Sequence, residues 1–253
     1  MRSVLPRLLL AASVLALGAC AATPPAGDQA ALQEYRENND PLEPTNRVFY
    51  AINNGIDTVL FRPAAQAYRF IVPAMQRRHI HNLLTNMSSP VTFTDDVLAA
   101  KPRRAGTTLM RFLINTTAGL GGLFDVATDL GYPEHDSDFG ITLSLWGVGE
   151  GPFLFLPILG PSNPRDFAGF AGDIVLDPLT WASFPGSQTL GLSRYGLSAV
   201  DQRERYLDTT DNIKKTALDP YATFRSLYRQ NRQSTIDKAR NDNQATVPAW
   251  FHR

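Results

Sequence analysis

Residues 46–60 have the sequence NRVFYAINNGIDTVL, and this stretch decides the fold class of the chain. Its apolar side chains recur at intervals of three and four positions, at Val48, Phe49, Ile52, Ile56, Val59 and Leu60. This spacing places them on one face of an amphipathic helix. Thr45 or Asn46 can cap the start of that helix, and Pro63 is expected to end or kink it. Similar periodicity elsewhere predicts a mainly α protein with little or no β structure.

Further helices are expected after this one. Pro73 is well placed as the first residue of the next helix, because its missing N–H costs nothing there. A short turn near Thr94 is expected to start another helix, with Asp95 and Asp96 in its first turn, where the helix dipole favours acidic side chains.

The middle of the chain consists of short apolar segments interrupted by Gly and Pro. The longest, from Pro152 to Pro161, would reach only ~15 Å as a helix, and Pro157 would break that helix. As a lone strand it could reach ~33 Å, but its edge would be unpaired in hydrocarbon. The run therefore forms either a buried core strand or a segment shielded by protein at a membrane surface.

The amino terminus has the pattern of a secretory signal. Arg2 and Arg7 are followed by an apolar stretch and then by Leu17-Gly18-Ala19-Cys20. The cysteine resembles the lipobox of bacterial lipoproteins, in which the thiol receives diacylglycerol; the alternative is a plain signal peptide with a chance cysteine. We expect a signal peptide over residues 1–19, and a lipidated amino terminus and tether over residues 20–39. Two or more acyl chains anchor a protein stably. Alanine at position 21 resembles outer-membrane lipoproteins.

The overall composition excludes some function classes. The 253 residues contain 24 basic and 24 acidic side chains, so the clustered basic excess typical of nucleic-acid binding is missing. No stretch after Cys20 has the ~20 apolar residues that a spanning helix needs.

No catalytic, metal or cofactor site is indicated by the sequence. The four histidines, His79, His81, His135 and His252, are interpreted as surface residues. The segment 134–138 is rich in possible ligands, but it lacks a recognised metal spacing and is interpreted as a solvated loop. There is no Gly-x-Ser-x-Gly elbow of a serine hydrolase.

Ordered blocks between residues 40 and 180 carry a family signature. They include Asp40-Pro41-Leu42-Glu43, Asn46-Arg47, Asn53, Arg62-Pro63-Ala64, the run Arg111 to Thr117, Gly119 to Ala127, Asp138 to Leu143, Trp146 to Gly149, Leu156 to Pro161 and Arg165-Asp166. In this order the blocks resemble the MlaA (VacJ) family of outer-membrane lipoproteins. The match covers most of the chain after Cys20 and is weak in the carboxyl-terminal third.

The resemblance implies a ring-shaped helical protein that lies in one leaflet, the inner leaflet of the outer membrane, lipid-anchored on the periplasmic face. Such proteins associate with a trimeric porin. They pass misplaced phospholipids through an amphipathic channel to a soluble periplasmic lipid carrier of the Mla pathway. We expect this helical domain over residues 40–230 and a polar tail over residues 231–253. The alternatives are a structural porin-associated lipoprotein without transport activity and a lipid hydrolase.

Two sets of residues are candidates for this function. Gly119, Gly121 and Gly122 could hinge a channel loop, or could simply form a helix C-cap and a tight turn. The candidate contacts with lipid or membrane are the apolar residues Phe49, Ile52, Leu123, Phe124, Trp146, Phe153 and Phe155. For Phe49 and Ile52, ordinary helix core is the competing interpretation.

Overall fold

A computed structural model describes residues 38–241 together with Gln33. The expected signal peptide, Cys20 and nearly all of the expected tether lie outside the described residues.

Helices form almost all of the regular structure in this part of the chain. The first is α1 (Glu43–Ile56), which continues through a π-helical segment (Asp57–Phe61) into α2 (Arg62–Ile71). The others are α3 (Ala74–Leu98), α4 (Pro102–Thr117), α5 (Val126–Asp129), α6 (Phe139–Leu145), α7 (Pro164–Leu176), α8 (Pro178–Trp181), α9 (Ser187–Arg205), α10 (Leu207–Thr216) and α11 (Pro220–Asn241). The prediction of a mainly α protein is confirmed.

Several predicted helix boundaries are wrong. The N-cap of α1 is Leu42, so Asn46 lies inside the helix and its side chain is free to bond elsewhere. Pro63 falls in the first turn of α2, directly after the wider π-helical turn, and does not end the helix. Pro90 is accommodated inside α3, which places Asp95 and Asp96 in the last turns of that helix rather than in the first turn of a new one.

A two-stranded antiparallel sheet occupies the apolar run in the middle of the chain. Strand β1 (Leu154–Leu156) pairs with β2 (Gly160–Ser162), with Phe155 opposite Pro161. The connecting turn uses a left-handed backbone at Ile158 (φ 69°) and Gly160 (φ 82°). Of the two forms predicted for this run, the structure shows the buried core strand.

The hydrophobic core next to this sheet is small and aromatic. Phe153 and Phe155, 2% and 5% exposed, pack with Tyr221 of α11, and Phe49 and Tyr50 of α1 cover them. The prediction that Phe153 and Phe155 contact lipid or membrane is wrong, because α1 and α11 enclose the strand that carries them. For Phe49, which packs against this cluster, the competing interpretation of helix core fits the structure.

A second small hydrophobic cluster packs the end of α11 against α6. Ile236 and Ala239 are buried against Ile141, and Leu145 packs at its edge. The helix continues to Asn241, so the expected polar tail is wrong for residues 231–241, which are part of the folded body. Residues 242–253 lie outside the described residues.

None of the helices within residues 38–241 is both long enough and apolar enough to cross a membrane.

Candidate functional site

The described residues are unusual because they expose many large apolar side chains and bury many charged ones. Phe70, Val59 and Trp181 are 91%, 81% and 70% exposed, and many other large apolar side chains also lie at the surface. Acidic and basic side chains, which are rarely fully buried in soluble proteins, lie in the interior instead. The buried charged residues are Asp40, Asp95, Asp96, Arg104, Arg111, Arg165, Asp177, Arg194, Asp201, Glu204 and Arg225. Apolar exposure of this extent indicates contact with lipid or with another protein.

Two of these buried charged residues, Arg111 and Asp201, line a polar, partly open cavity of about 490 Å³. Helix α3 forms one wall and packs against both α4 and α9, which contribute two more, while the segment 134–138 closes the remaining side. The lining residues are His81, Leu84, Thr85, Ser88, Ser89, Thr92, Thr108, Arg111, Glu134, His135, Asp136, Ser137, Asp138, Ser198, Asp201, Gln202, Arg205 and Tyr206. Leu84 is the single aliphatic member of this set.

The wall formed by α4 and the segment 134–138 is fixed around the carboxylate of Asp96. His135 Nε2 lies 2.9 Å from this carboxylate and Thr108 Oγ1 donates to it at 2.7 Å. Burial alone would raise the pKa of Asp96, but the bonds and charge of His135, with bonds from Thr108 and Ser137, outweigh burial and hold that pKa below its usual value. Arg104 donates to the carbonyl oxygen of Asp136 at 2.5 Å. The segment is therefore held in place by buried bonds.

Arg111 fixes the same segment from its other end. Its guanidinium donates to Thr128 Oγ1 at 2.8 Å, to the carbonyl oxygen of Tyr132 at 2.6 Å and to Asp125 Oδ2 at 3.2 Å. These bonds use three of its five N–H donors, so Arg111 acts mainly as a brace for the chain that leads into the cavity wall.

The wall formed by α9 is organised around Asp201. One carboxylate oxygen lies 2.9 Å from His81 Nδ1 of α3, and the other accepts from Tyr68 Oη of α2 at 3.3 Å. Burial, followed by the charge of Asp201, raises the pKa of Tyr68 to about 12. Arg205 is 3.6 Å from the oxygen that His81 already uses. These contacts connect three helices at the cavity.

One arrangement in the cavity has part of the geometry of a catalytic triad. His81 Nδ1 bonds to Asp201, and His81 Nε2 lies 3.4 Å from Thr85 Oγ1. However, both His81 and Thr85 lie within α3, where backbone N–H groups bond inside the helix, so the backbone next to the hydroxyl supplies no oxyanion hole. His135 does not form a second triad, because Nε2 contacts both Thr108 and Asp96 while Nδ1 has no partner among the described residues.

The described residues contain no group of three or more His, Cys, Asp or Glu side chains that could hold a metal ion.

The glycines proposed as a hinge form a compact turn after α4. Gly121 and Gly122 have φ values of 76° and 99°, and their N–H groups donate to the carbonyl oxygens of Thr116 and Asn115 at 2.9 and 2.7 Å. A Cβ on Gly122 would lie 2.5 Å from the Cβ of Asn86 on α3, and one on Gly119 would lie 2.3 Å from the carbonyl oxygen of Phe124. This geometry accounts for the glycines as a C-cap and tight turn, and whether the turn also moves stays a prediction.

The other predicted contact residues lie away from the cavity. Ile52, Phe124 and Trp146 are exposed, and Leu123 is partly buried. Trp146 Nε1 donates to the carbonyl oxygen of Leu98 at 2.9 Å, which leaves its ring at the surface. These four positions are compatible with contact to lipid, which remains a prediction.

The prediction that the histidines are surface residues is wrong for His135. His81 and His135 line the cavity, and the side chain of His135 is largely buried against Asp96, so it is not a surface residue. The sequence does contain a signal for this wall that was missed. Polar residues follow the helical spacing of three and four along α3, at His81, Thr85, Ser88, Ser89 and Thr92.

The fold and the site define a class: helical proteins with a polar cavity and many exposed apolar side chains, and with no spanning helix in the described part. The family follows from comparison with known proteins. A model of the family described as MlaA lipoprotein matches residues 38–235, and the chain belongs to this family.

Named relatives support this assignment. The chain is 33% identical over 208 residues to the intermembrane phospholipid transport system lipoprotein MlaA of Haemophilus influenzae, covering 81% of this chain and 82% of that one. It is 32% identical over 197 residues to the protein of the same name in Escherichia coli, with 76% of each chain covered. It is also 34% identical to an uncharacterized protein of Rickettsia bellii, over 81% of this chain and 80% of that one.

A solved structure has the same fold. It comes from work on the structural basis for maintenance of bacterial outer membrane lipid asymmetry and superposes with a TM-score of 0.67 at 30% identity. The match covers 78% of this chain and 98% of the other.

Proposed function

We propose that this protein is an outer-membrane lipoprotein that removes mislocalised phospholipids from the outer leaflet through an amphipathic channel. The observation that carries this proposal is the charged, polar cavity in a body that exposes many large apolar side chains. The names of the Haemophilus influenzae and Escherichia coli relatives support the transport of phospholipids between membranes.

The cavity supplies what a phospholipid headgroup needs. A charged group in hydrocarbon has lost its hydration, which costs several kcal/mol or more. Hydroxyl, imidazole, carboxylate and guanidinium groups line the cavity and replace water around such a headgroup. Its volume of about 490 Å³ lies within the ~300–1,000 Å³ of small-molecule sites, so it has room for a headgroup while the acyl chains follow an apolar surface.

The exterior suits a position in one leaflet. Exposed apolar residues such as Val59, Phe70, Ile71 and Trp181 can enter hydrocarbon, while no helix within residues 38–241 can cross it. In our proposal the lipid anchor on Cys20 fixes this body to the periplasmic face of the outer membrane. A trimeric porin holds the protein there, and a soluble periplasmic carrier of the Mla pathway receives the lipid.

A blocked cavity tests the proposal in cells. Deletion of the gene is expected to raise the phospholipid exposed on the cell surface, and the native protein is expected to reverse this. Ser198 lines the cavity, so Ser198→Trp should fail to reverse it at equal membrane abundance. Ser183→Trp, on an exposed position outside the cavity, is the matched control and should behave as the native protein. Unchanged surface phospholipid after deletion would support the structural, non-transporting alternative.

Lipidation has its own test. Cys20→Ala is expected to leave an uncleaved or mislocalised precursor, and normal outer-membrane fractionation of this variant would contradict lipidation.

The hydrolase alternative rests on the contact of Thr85 with His81 and Asp201. Incubation of the purified protein with labelled phospholipid distinguishes it, since our proposal expects no release of fatty acid. Release that disappears in Thr85→Val would favour the hydrolase.

A further inference from the structure

We infer that the cavity selects zwitterionic phospholipid headgroups, with the phosphate at Arg205 and the ammonium group at Glu134 and Asp136. This inference rests on the proposed function and adds to it the headgroup class. The charged lining residues fall into two groups: those that already have hydrogen-bond or ion-pair partners and those that remain available to a ligand.

Most charged groups at the cavity already have strong partners. The His81–Asp201 and His135–Asp96 pairs are each 2.9 Å long, and Arg232 donates to both carboxylate oxygens of Asp138 at 2.6 and 2.8 Å. Arg111 is held by its bonds to Thr128, Tyr132 and Asp125. These groups shape the cavity and offer little binding capacity to a ligand.

Arg205 is the available cation. Its side chain is 46% exposed, and its ion pair with Asp201 is 3.6 Å long because His81 and Tyr68 already occupy that carboxylate. A guanidinium with unused donors suits a phosphate, which it can bind through two parallel hydrogen bonds.

The available anions lie on a different wall. The side chain of Glu134 is 51% exposed and lies 3.9 Å from Arg111, at the limit of an ion pair. Within residues 38–241, the side chain of Asp136 makes no hydrogen bond or ion pair, whereas its carbonyl oxygen is fixed by Arg104 at 2.5 Å. A fixed backbone with a free carboxylate is a preorganised site for a cation.

The available charges therefore sum to one positive and two negative groups, on separate walls. A headgroup with a phosphate and an ammonium group complements both walls. A phosphoglycerol headgroup has only the negative charge, so it can satisfy Arg205 but leaves both carboxylates without a counter-charge and is repelled by them.

Lipid retention by the purified, acylated full-length protein tests this assignment. The protein in detergent is equilibrated with equal amounts of phosphatidylethanolamine, phosphatidylcholine and phosphatidylglycerol, and the retained lipids are quantified by mass spectrometry. We expect the two zwitterionic lipids to be retained about fivefold over phosphatidylglycerol. The double variant Glu134→Gln, Asp136→Asn should bring this ratio close to one, and Arg205→Gln should lower retention of all three lipids.

Matched neutralisations outside the cavity serve as controls. Asp129→Asn and Arg103→Gln change exposed charges that do not line the cavity, and they should retain lipids as the native protein does. Equal phosphatidylglycerol fractions in the native protein and the double variant would overturn the inference and leave the proposed function intact. Retention of no lipid by the native protein would overturn both.

Discussion

The side chain of Asn46 in α1 pairs with the backbone of Phe155 in β1 as a neighbouring strand would. Its Oδ1 accepts from the N–H of Phe155 at 2.9 Å, and its Nδ2 donates to the carbonyl oxygen of Phe153 at 3.1 Å. Asn53, seven positions or about two helical turns later, repeats the pattern on Leu156 and Ile158 at 2.7 Å each. Two asparagines of one helix thus complete the open edge of the hairpin.

Replacement of Asn46 should be strongly destabilising. Asn46→Ala leaves a buried N–H and a buried carbonyl of the strand without partners, which is expected to lower the free energy of unfolding by about 3 kcal/mol. Asn54→Ala is the control, because the side-chain oxygen of Asn54 has no partner among the described residues. Thermal unfolding in detergent measures both variants, and equal melting temperatures would contradict the role assigned to Asn46.

Truncation at two positions tests whether the end of α11 is part of the folded body. A stop after residue 241 should leave a folded protein, whereas a stop after residue 230 removes Arg232, Ile236 and Ala239. Asp138 and Asp166 then lose the guanidinium that pairs with them at 2.6 and 2.9 Å.

The point variant Arg232→Met isolates the electrostatic part of this effect and should cost about 2–3 kcal/mol, because Asp138 loses the guanidinium that pairs with it while Asp166 keeps its ion pair with Arg165. Protease resistance and circular dichroism report the outcome. A folded, resistant protein ending at residue 230 would restore the boundary first expected there.

The spacing of apolar residues predicted the fold class, because helical periodicity is a local property of the sequence and does not depend on tertiary contacts. It did not distinguish core from lipid-facing residues, since Phe153 and Trp146 are equally apolar in the sequence. Phe153 is buried because Tyr221, almost seventy positions later, packs on it, whereas Trp146 contacts Phe139 through one ring edge and stays exposed. This difference in burial depends on tertiary contacts and is not visible in the local sequence.

The sequence pattern does not predict the cavity, for a related reason. Its polar stripe along α3 has the same spacing as a solvated helix face, so the sequence predicts a surface position for His81 and gives no reason to place His81 and Thr85 in a cavity. The sequence predicts Asp95 and Asp96 in the first turn of a new helix, after a short turn near Thr94. Instead α3 continues through Pro90 and buries both carboxyl groups.

The glycine turn after α4 can be tested more sharply than by proline substitution. Proline at position 121 or 122 would remove an N–H that bonds to α4, so loss of protein would not distinguish a hinge from a turn. Gly121→Ala meets no neighbouring atom and adds only the cost of a positive φ, about 1 kcal/mol. If the turn is a hinge, Gly121→Ala should slow lipid removal at normal protein levels.

Gly122→Ala is the structural comparison, because its new Cβ would collide with Asn86. We expect a lower melting temperature for Gly122→Ala, and partial recovery when Asn86→Ala provides space. Full lipid removal by Gly121→Ala would favour the static C-cap and turn.

Asp95 and Asp173 predict how stability depends on pH. Burial, together with the negative charge of Asp173, raises the pKa of Asp95 to about 8, and burial raises the pKa of Asp173 to about 6. The folded state therefore binds protons here more tightly than the unfolded chain, whose aspartates titrate near pH ~4. The stabilisation from this pair is complete below that pH and is lost as pH rises through about 6 to about 8.

Carboxylates with lowered pKa values, such as Asp96 and Asp166, act in the opposite direction and lose their stabilisation as pH falls below ~4. Maximum stability is thus expected near pH ~4–5, and the native protein should melt at least ~5 °C lower at pH 9 than at pH 6. Asp95→Asn keeps an uncharged hydrogen-bond donor beside Asp173 and should remove most of this decrease. Asp129→Asn, at an exposed site, should retain it. A native melting temperature that stays constant between pH 6 and 9 would contradict the raised pKa values of Asp95 and Asp173.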